Sequence, residues 1–225
     1  MSGRIYFVSG IGTDVGKTVA TGAMARYLAG LGRDVITVKM VQTGCVGFSE
    51  DLAVHRRMAG GVRFPEDDEG LTAPEIFRFP SSPLLASRLE GRNVDLGKIA
   101  SAVDRCAQAH EITLVEGAGG LAVPLDEETL AVDFAAERGW PLILVTCGSL
   151  GAINHALLSL EAAAARGMSL AGVVHNTFFS DDECLDEDAV CAVRRHLKRL
   201  GFPERIVRLP KTDSCAAVDF GEIFP

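Results

Sequence analysis

Apolar residues in this chain fall into short unbroken runs separated by longer stretches of helical period. Six runs stand out: 4–9 (RIYFVS), 35–39 (VITVK), 112–115 (ITLV), 141–146 (PLILVT), 170–175 (LAGVVH) and 205–209 (RIVRL). Most are continuous rather than alternating, as in strands covered on both faces. Between them, residues 17–31 place Val19, Ala23, Tyr27 and Leu31 at four-residue spacing, with Gly32 as a stop. Residues 95–109, 129–138, 151–166 and 185–200 read as helices in the same way. This alternation predicts an α/β fold with a mainly parallel central sheet and helices on both faces. No internal repeat, low-complexity tract or long linker interrupts it. Residues 1–225 are therefore expected to form one domain, with 61–82 as an irregular, acidic and proline-rich excursion.

Composition narrows the partners. Hydrophobic residues make up 48% of the 225 positions, enough for a large core. A net charge of −8 argues against non-specific nucleic-acid binding and against attachment to acidic lipid. The longest apolar runs are strand-sized and too short to cross a bilayer, and the first residues lack the apolar core of a signal peptide. The six cysteines, at 45, 106, 147, 184, 191 and 215, form no Cys-x-x-Cys pair. That scatter predicts neither a disulfide nor a zinc framework and fits a reducing cytoplasm.

Candidate chemistry begins where the first run ends. Residues 7–20 read FVSGIGTDVGKTVA, a strand running into glycines and then into a helix that opens at Gly16-Lys17-Thr18. That arrangement points backbone N–H groups and a helix N-terminus at bound phosphate. Lys17 would reach the terminal phosphates, and the Thr18 hydroxyl would ligate magnesium. A standard Walker loop has four residues between its glycines, which would put the first glycine at position 11; Ile11 stands there instead. Glu116 ends a strand at the edge where open α/β sheets bind ligands, and Lys39 ends another at the same edge. Asp51 opens a predicted helix, so it is either a cap or a further oxygen ligand. No histidine pair has a metal-ligand spacing, and His155 reads as structural.

GIGTDVGKT (10–18), VKMVQTG (38–44), LVEGAGG (114–120) and SLGAINHALLS (149–159), in this order and spacing, resemble the dethiobiotin synthetase family. Family loops carry one residue more between their glycines than the standard motif, which accounts for Ile11. The resemblance covers most of residues 3–180. It implies a three-layer P-loop NTPase-like fold and an ATP- and Mg²⁺-dependent carboxylation of 7,8-diaminononanoate by CO₂, through a carbamate and a carbamic–phosphoric anhydride. It assigns Thr13, Lys17 and Lys39 to the reacting groups. Gly12, Asp14, Val15, Gly16 and Gly119 go with the nucleotide, Asn176 and Pro210 with its adenine. Thr18, Asp51 and Glu116 match the magnesium ligands, and Thr43 a substrate contact. Gly151, Ala152 and Asn154 match a helix start that receives the substrate carboxylate across a homodimer interface. Met40 replaces a usual proline, which implies a less rigid Lys39 loop, and Leu84 a frequent histidine. The rival is a switch ATPase like MinD or ParA, but Ile11-Gly12-Thr13-Asp14 lacks the second lysine usual in that class.

Overall fold

The computed structural model describes residues 3–179, 182–211 and 218–225, so Cys215 lies outside the described residues. Six parallel strands build the main sheet: β1 (Arg4–Gly10), β2 (Val35–Lys39), β5 (Ile112–Gly120), β6 (Leu142–Cys147), β7 (Leu170–Asn176) and β8 (Ile206–Leu209). Their order is β2-β5-β1-β6-β7-β8, which puts β1 at the centre and its exit loop between β5 and β6. All six match the predicted runs within a few residues, β5 running furthest beyond its prediction. Two further strands, β3 (Val41–Thr43) and β4 (Glu75–Phe77), pair in parallel as a separate small sheet. The excursion at 61–82 thus holds β4 and the short α3 (Pro65–Asp68), a regularity that three- and four-residue elements are too short to announce by period.

Successive strand residues face opposite sides, and each side is dry. Phe7, Val115, Leu144 and Val173 join one apolar cluster; Val8, Leu114, Val145 and Val174 join the other. The first cluster is covered by α5 (Leu96–Ala109), α6 (Ala131–Glu137), α7 (Ala152–Ala165) and α8 (Glu183–Leu200). The second is covered by α1 (Lys17–Gly30) and the C-terminal Phe220, Ile223 and Phe224, with Tyr6 edge-on to Phe224 at 5.1 Å. The result is the predicted three-layer α/β architecture. Helices α2 (Glu50–Met58) and α4 (Pro83–Leu89) complete the set, α2 against α1.

Cysteines 45, 106, 147, 184 and 191 are free. Burial pushes the Cys106 thiol up to about 12, consistent with a packing role. Among the described residues, no helix is long and apolar enough to cross a membrane.

Candidate active site

The phosphate loop is held by its neighbours. Ile11 N donates to Val145 O of β6 (3.1 Å), and Leu121 N donates to Gly10 O (3.0 Å), tying the loop between β6 and the end of β5. Asp14 adopts a left-handed φ of 58°, which non-glycine residues rarely take outside functional turns. Gly16 has φ 91°, and a Cβ there would overlap the Asn176 amide, so both conformation and space demand glycine. Helix α1 then starts with no side-chain cap and no acid in its first turn. Its opening N–H groups and positive dipole end are therefore left for an anion.

A cleft of about 460 Å³ opens over this helix start. Thr13, Asp14, Gly16, Lys17, Thr18, Lys39, Thr43, Asp51, Glu116 and Gly119 all line it. It adjoins a second hollow of about 490 Å³ that shares Thr13, Thr43 and Gly119 and extends to Pro80, Ser81 and Ser82. Sequence reasoning did not single out Gln42 or the Pro80–Ser82 turn. A larger cavity of about 690 Å³ lies at the other end of the strands, around Arg4, Asp104 and Trp140. It has neither the glycine loop nor the paired carboxylates.

Strand pairing fixes the charged centre. Lys39 and Glu116 are direct neighbours in the β2–β5 register. Lys39 Nζ lies 2.7 Å from Glu116 Oε1, 2.6 Å from Asp51 Oδ2 and 3.0 Å from Gly117 O. The Thr18 hydroxyl stands 3.1 Å from both Asp51 Oδ1 and Glu116 Oε1. Capping of α2 falls to Ser49, which accepts from Leu52 N, and this frees the Asp51 carboxylate for the cluster. Met40, standing in for proline, donates its N–H to Glu116 O at 2.9 Å. Proline cannot make that bond, so the expected loosening of the Lys39 loop is offset.

The electrostatics follow from burial and pairing. Burial alone would lower Lys39, but Glu116 and Asp51 outweigh it and hold its pKa above the ordinary lysine value. Burial alone would raise Glu116; Lys39 and the bond from His55 hold it well below the usual carboxylate range. Among the described residues no carboxylate contacts Lys17, which donates to Gly12 O at 2.8 Å. Burial, with Lys39 as a like-charged neighbour, pulls it down to about 8.

These residues fit a magnesium ion. Two carboxylates and a hydroxyl converge, and a buried ammonium already bridges the carboxylates, so the point favours positive charge. Among the described residues no group of three or more His, Cys, Asp or Glu is placed to hold a metal. Two carboxylates with a hydroxyl is the sparse hard-oxygen set that suits magnesium, which keeps several waters.

Other predicted residues lie elsewhere. Gly12 and Val15 belong to the loop without lining the cleft, and Val15 O accepts from Asn176 Nδ2 (3.1 Å). Asn176 Oδ1 accepts from Phe178 N (3.1 Å), so the amide keeps a second N–H and a second lone pair. Asn176 ends β7 beside Leu209, which places Pro210 next to it. Gly151, Ala152 and Asn154 stand at the start of α7 and do not line the cleft of their own chain. Leu84 lines a separate hollow with Arg88 and Asp126, away from the cleft. His55 was missed altogether: fully buried on α2, it contacts Glu116 Oε2 at 2.7 Å. Its one sequence signal is the i, i+4 spacing from Asp51, which puts both on one helix face.

The AAA domain family matches residues 4–217. Over 204 residues the chain is 44% identical to the ATP-dependent dethiobiotin synthetase BioD of Chlorobaculum tepidum, covering 91% of this chain and 85% of that protein. It is 47% identical over 176 residues to ATP-dependent dethiobiotin synthetase BioD 2 of Haemophilus influenzae, covering 78% and 92%. For the BioD 2 of Pasteurella multocida the identity is 41% over 196 residues, covering 87% and 92%. Chloroplast FtsY from Physcomitrella patens superposes with a TM-score of 0.57 at 16% identity, over 100% of this chain and 66% of that one. The pNOB8 ParA bound to nonspecific DNA gives 0.55 at 11%, over 91% and 78%. At such identities the likeness concerns the fold alone.

Proposed function

The chain belongs to the ATP-dependent dethiobiotin synthetases, and from that membership we propose how its cleft performs the reaction. The enzyme closes the ureido ring of dethiobiotin from 7,8-diaminononanoate, CO₂ and ATP. One amine adds CO₂ and loses a proton, giving a carbamate. The carbamate oxygen attacks the γ-phosphorus and ADP leaves, giving a carbamic–phosphoric anhydride. The second amine attacks the carbonyl carbon, phosphate departs, a proton is lost and the ring closes. A carbamate is a poor electrophile, so phosphorylation supplies the leaving group, and the protein's part is positioning and charge stabilisation.

The roles rest on the family membership and on where the structure holds each group. The N–H groups of the loop from Gly12 to Gly16 and of the α1 start cradle the phosphates. Lys17 leaves Gly12 O for the β/γ bridge, where phosphate charge reverses the cost of burying it. Lys39, kept protonated by its carboxylates, cannot serve as a base; it neutralises the carbamate and the transferring phosphoryl group. Thr13 and Thr43 line both hollows, Thr13 for the phosphate or the carbamate and Thr43 for the diamine. Thr18, Asp51 and Glu116 would hold magnesium, which when bound neutralises the phosphate oxygens. Asn176 and Pro210 take the adenine. The observation that carries this reading is Lys39, set between two carboxylates at the mouth of the phosphate loop, in a chain so similar to known synthetases.

Phosphate release from ATP should require both the diamine and bicarbonate. Equal turnover with and without the diamine would overturn the assignment and favour a switch ATPase. The reading also takes residues 1–225 as one synthetase domain of the cytoplasm, acting on small molecules, with no nucleic acid or membrane partner. Because Gly151, Ala152 and Asn154 do not reach their own cleft, it takes the working unit to be a homodimer in which each α7 start serves the neighbouring site. Sedimentation of the active enzyme should give twice the subunit mass; a fully active monomer refutes the dimer.

A further inference from the structure

His55 belongs to a buried chain of bonds that runs from Asp67 to Glu116. Asp67 grips Arg56 with both carboxylate oxygens, at 2.9 Å from Nε and 2.6 Å from a terminal nitrogen, and also accepts from Phe64 N and Thr72 Oγ1. Arg56 in turn donates to Thr37 Oγ1 at 2.6 Å. Thr37 Oγ1 stands 3.1 Å from His55 Nδ1, and His55 Nε2 stands 2.7 Å from Glu116 Oε2. Thr37, His55 and Glu116 are at most 1% exposed, so no water competes for these groups.

Donor counting gives the chain a direction. A guanidinium only donates, so Thr37 Oγ1 accepts from Arg56. An ionised carboxylate only accepts, so His55 Nε2 carries the hydrogen. In the neutral ring Nδ1 is then the acceptor, and the Thr37 hydroxyl hydrogen fills it. Every member is satisfied in the order Arg56→Thr37→His55→Glu116, and a chain so completed rigidifies its end group.

That end group is the one the cleft needs fixed. With Oε2 held by His55, Oε1 is left facing Lys39 and Thr18. We propose that His55 is a positioning residue: it locks the Glu116 carboxylate so that one oxygen stays turned to the cation site of the cleft. This rests on Glu116 being a magnesium ligand, as set out under the proposed function. Such outer partners of a ligating group are typically worth a factor of about 10–100 in metal affinity.

The test uses Mn²⁺ binding to the enzyme–ADP complex, read by electron paramagnetic resonance without turnover, with the Mg²⁺ dependence of phosphate release alongside. His55→Leu fills similar space and removes both bonds. Its Mn²⁺ dissociation constant should rise about 10–100-fold, while turnover at saturating Mg²⁺ recovers. His55→Gln, whose amide nitrogen reaches roughly where Nε2 sits, should restore most of the affinity. His55→Asn, whose amide stands in for Nδ1, should not. A folded His55→Leu enzyme with unchanged Mn²⁺ binding overturns the proposal, as does a glutamine variant no better than the asparagine one. If His55→Leu fails to fold, Thr37→Val decides: weaker Mn²⁺ binding supports the chain, and unchanged binding overturns it. Glu116→Gln separates the two levels. If that variant binds Mn²⁺ normally, the ligand role of Glu116 falls and His55 falls with it; if only the His55 and Thr37 variants bind normally, the positioning role alone is wrong.

Discussion

Lys17→Gln should lower turnover by about 10³-fold, the scale expected for removing a charged clamp from a transferring phosphoryl group. That factor corresponds to about 4 kcal/mol of lost transition-state stabilisation. Glutamine keeps nearly the length of the side chain and can still donate to Gly12 O, the bond that Lys17 makes at 2.8 Å. Loop geometry should therefore survive, and the loss should be electrostatic. The lysine is costly where it stands: burial and the neighbouring Lys39 pull its pKa down to about 8. A cation held at such a cost is stabilised when phosphate arrives, which is what an interaction favouring the bound, charge-transferring state requires. Phosphate release measured with saturating diamine and bicarbonate gives the turnover, and calorimetry with ADP gives the binding. Activity within about tenfold of the unmodified enzyme, with the loop intact, removes Lys17 from the chemistry.

The loop and the six long strands were legible in the sequence for one physical reason. A strand buried on both faces must be apolar throughout, and a glycine loop between such a strand and a helix has few other uses. The short sheet β3–β4 could not be read that way, since Val41-Gln42-Thr43 and Glu75-Ile76-Phe77 are too brief to show a period. Strand β5 continues past Glu116 through Gly117, Ala118, Gly119 and Gly120, a stretch whose composition reads as loop. There β1 supplies what glycine's own propensity does not favour: Gly10 pairs with Gly120 across a register shift.

The centre of the site was half legible. Lys39 and Glu116 could be placed at one sheet edge from their strands, and the register confirms them as neighbours. Asp51 could be read as a cap or as a ligand; Ser49 takes the cap, which leaves the Asp51 carboxylate to Lys39 and Thr18. The support behind Glu116 depends on how α2 lies over β2, which brings His55 and Arg56 onto Thr37. No local pattern encodes that contact. A residue whose role is to hold another residue carries no motif of its own.

Lys39→Met should lower turnover by about 10²–10³-fold, the cost of losing one preorganised charge aimed at the reacting groups. Methionine preserves most of the volume, so packing beneath the loop changes little. The charge balance changes a great deal. Lys39 is the ammonium between Asp51 and Glu116, and without it two carboxylates face each other across a largely buried gap. One of them must then take up a proton or a metal ion, since like charges at short range disfavour joint ionisation. The two possible roles of Lys39 therefore predict opposite changes in metal binding. If Lys39 serves the carbamate and phosphoryl group, Mn²⁺ binding in the variant holds or tightens, because a competing cation has gone, while turnover stays low at any metal concentration. If Lys39 is only a strut for the carboxylates, Mn²⁺ binding weakens and excess metal restores turnover. Measuring both quantities on one preparation separates the roles, and recovery of turnover at high metal would remove Lys39 from the reacting groups.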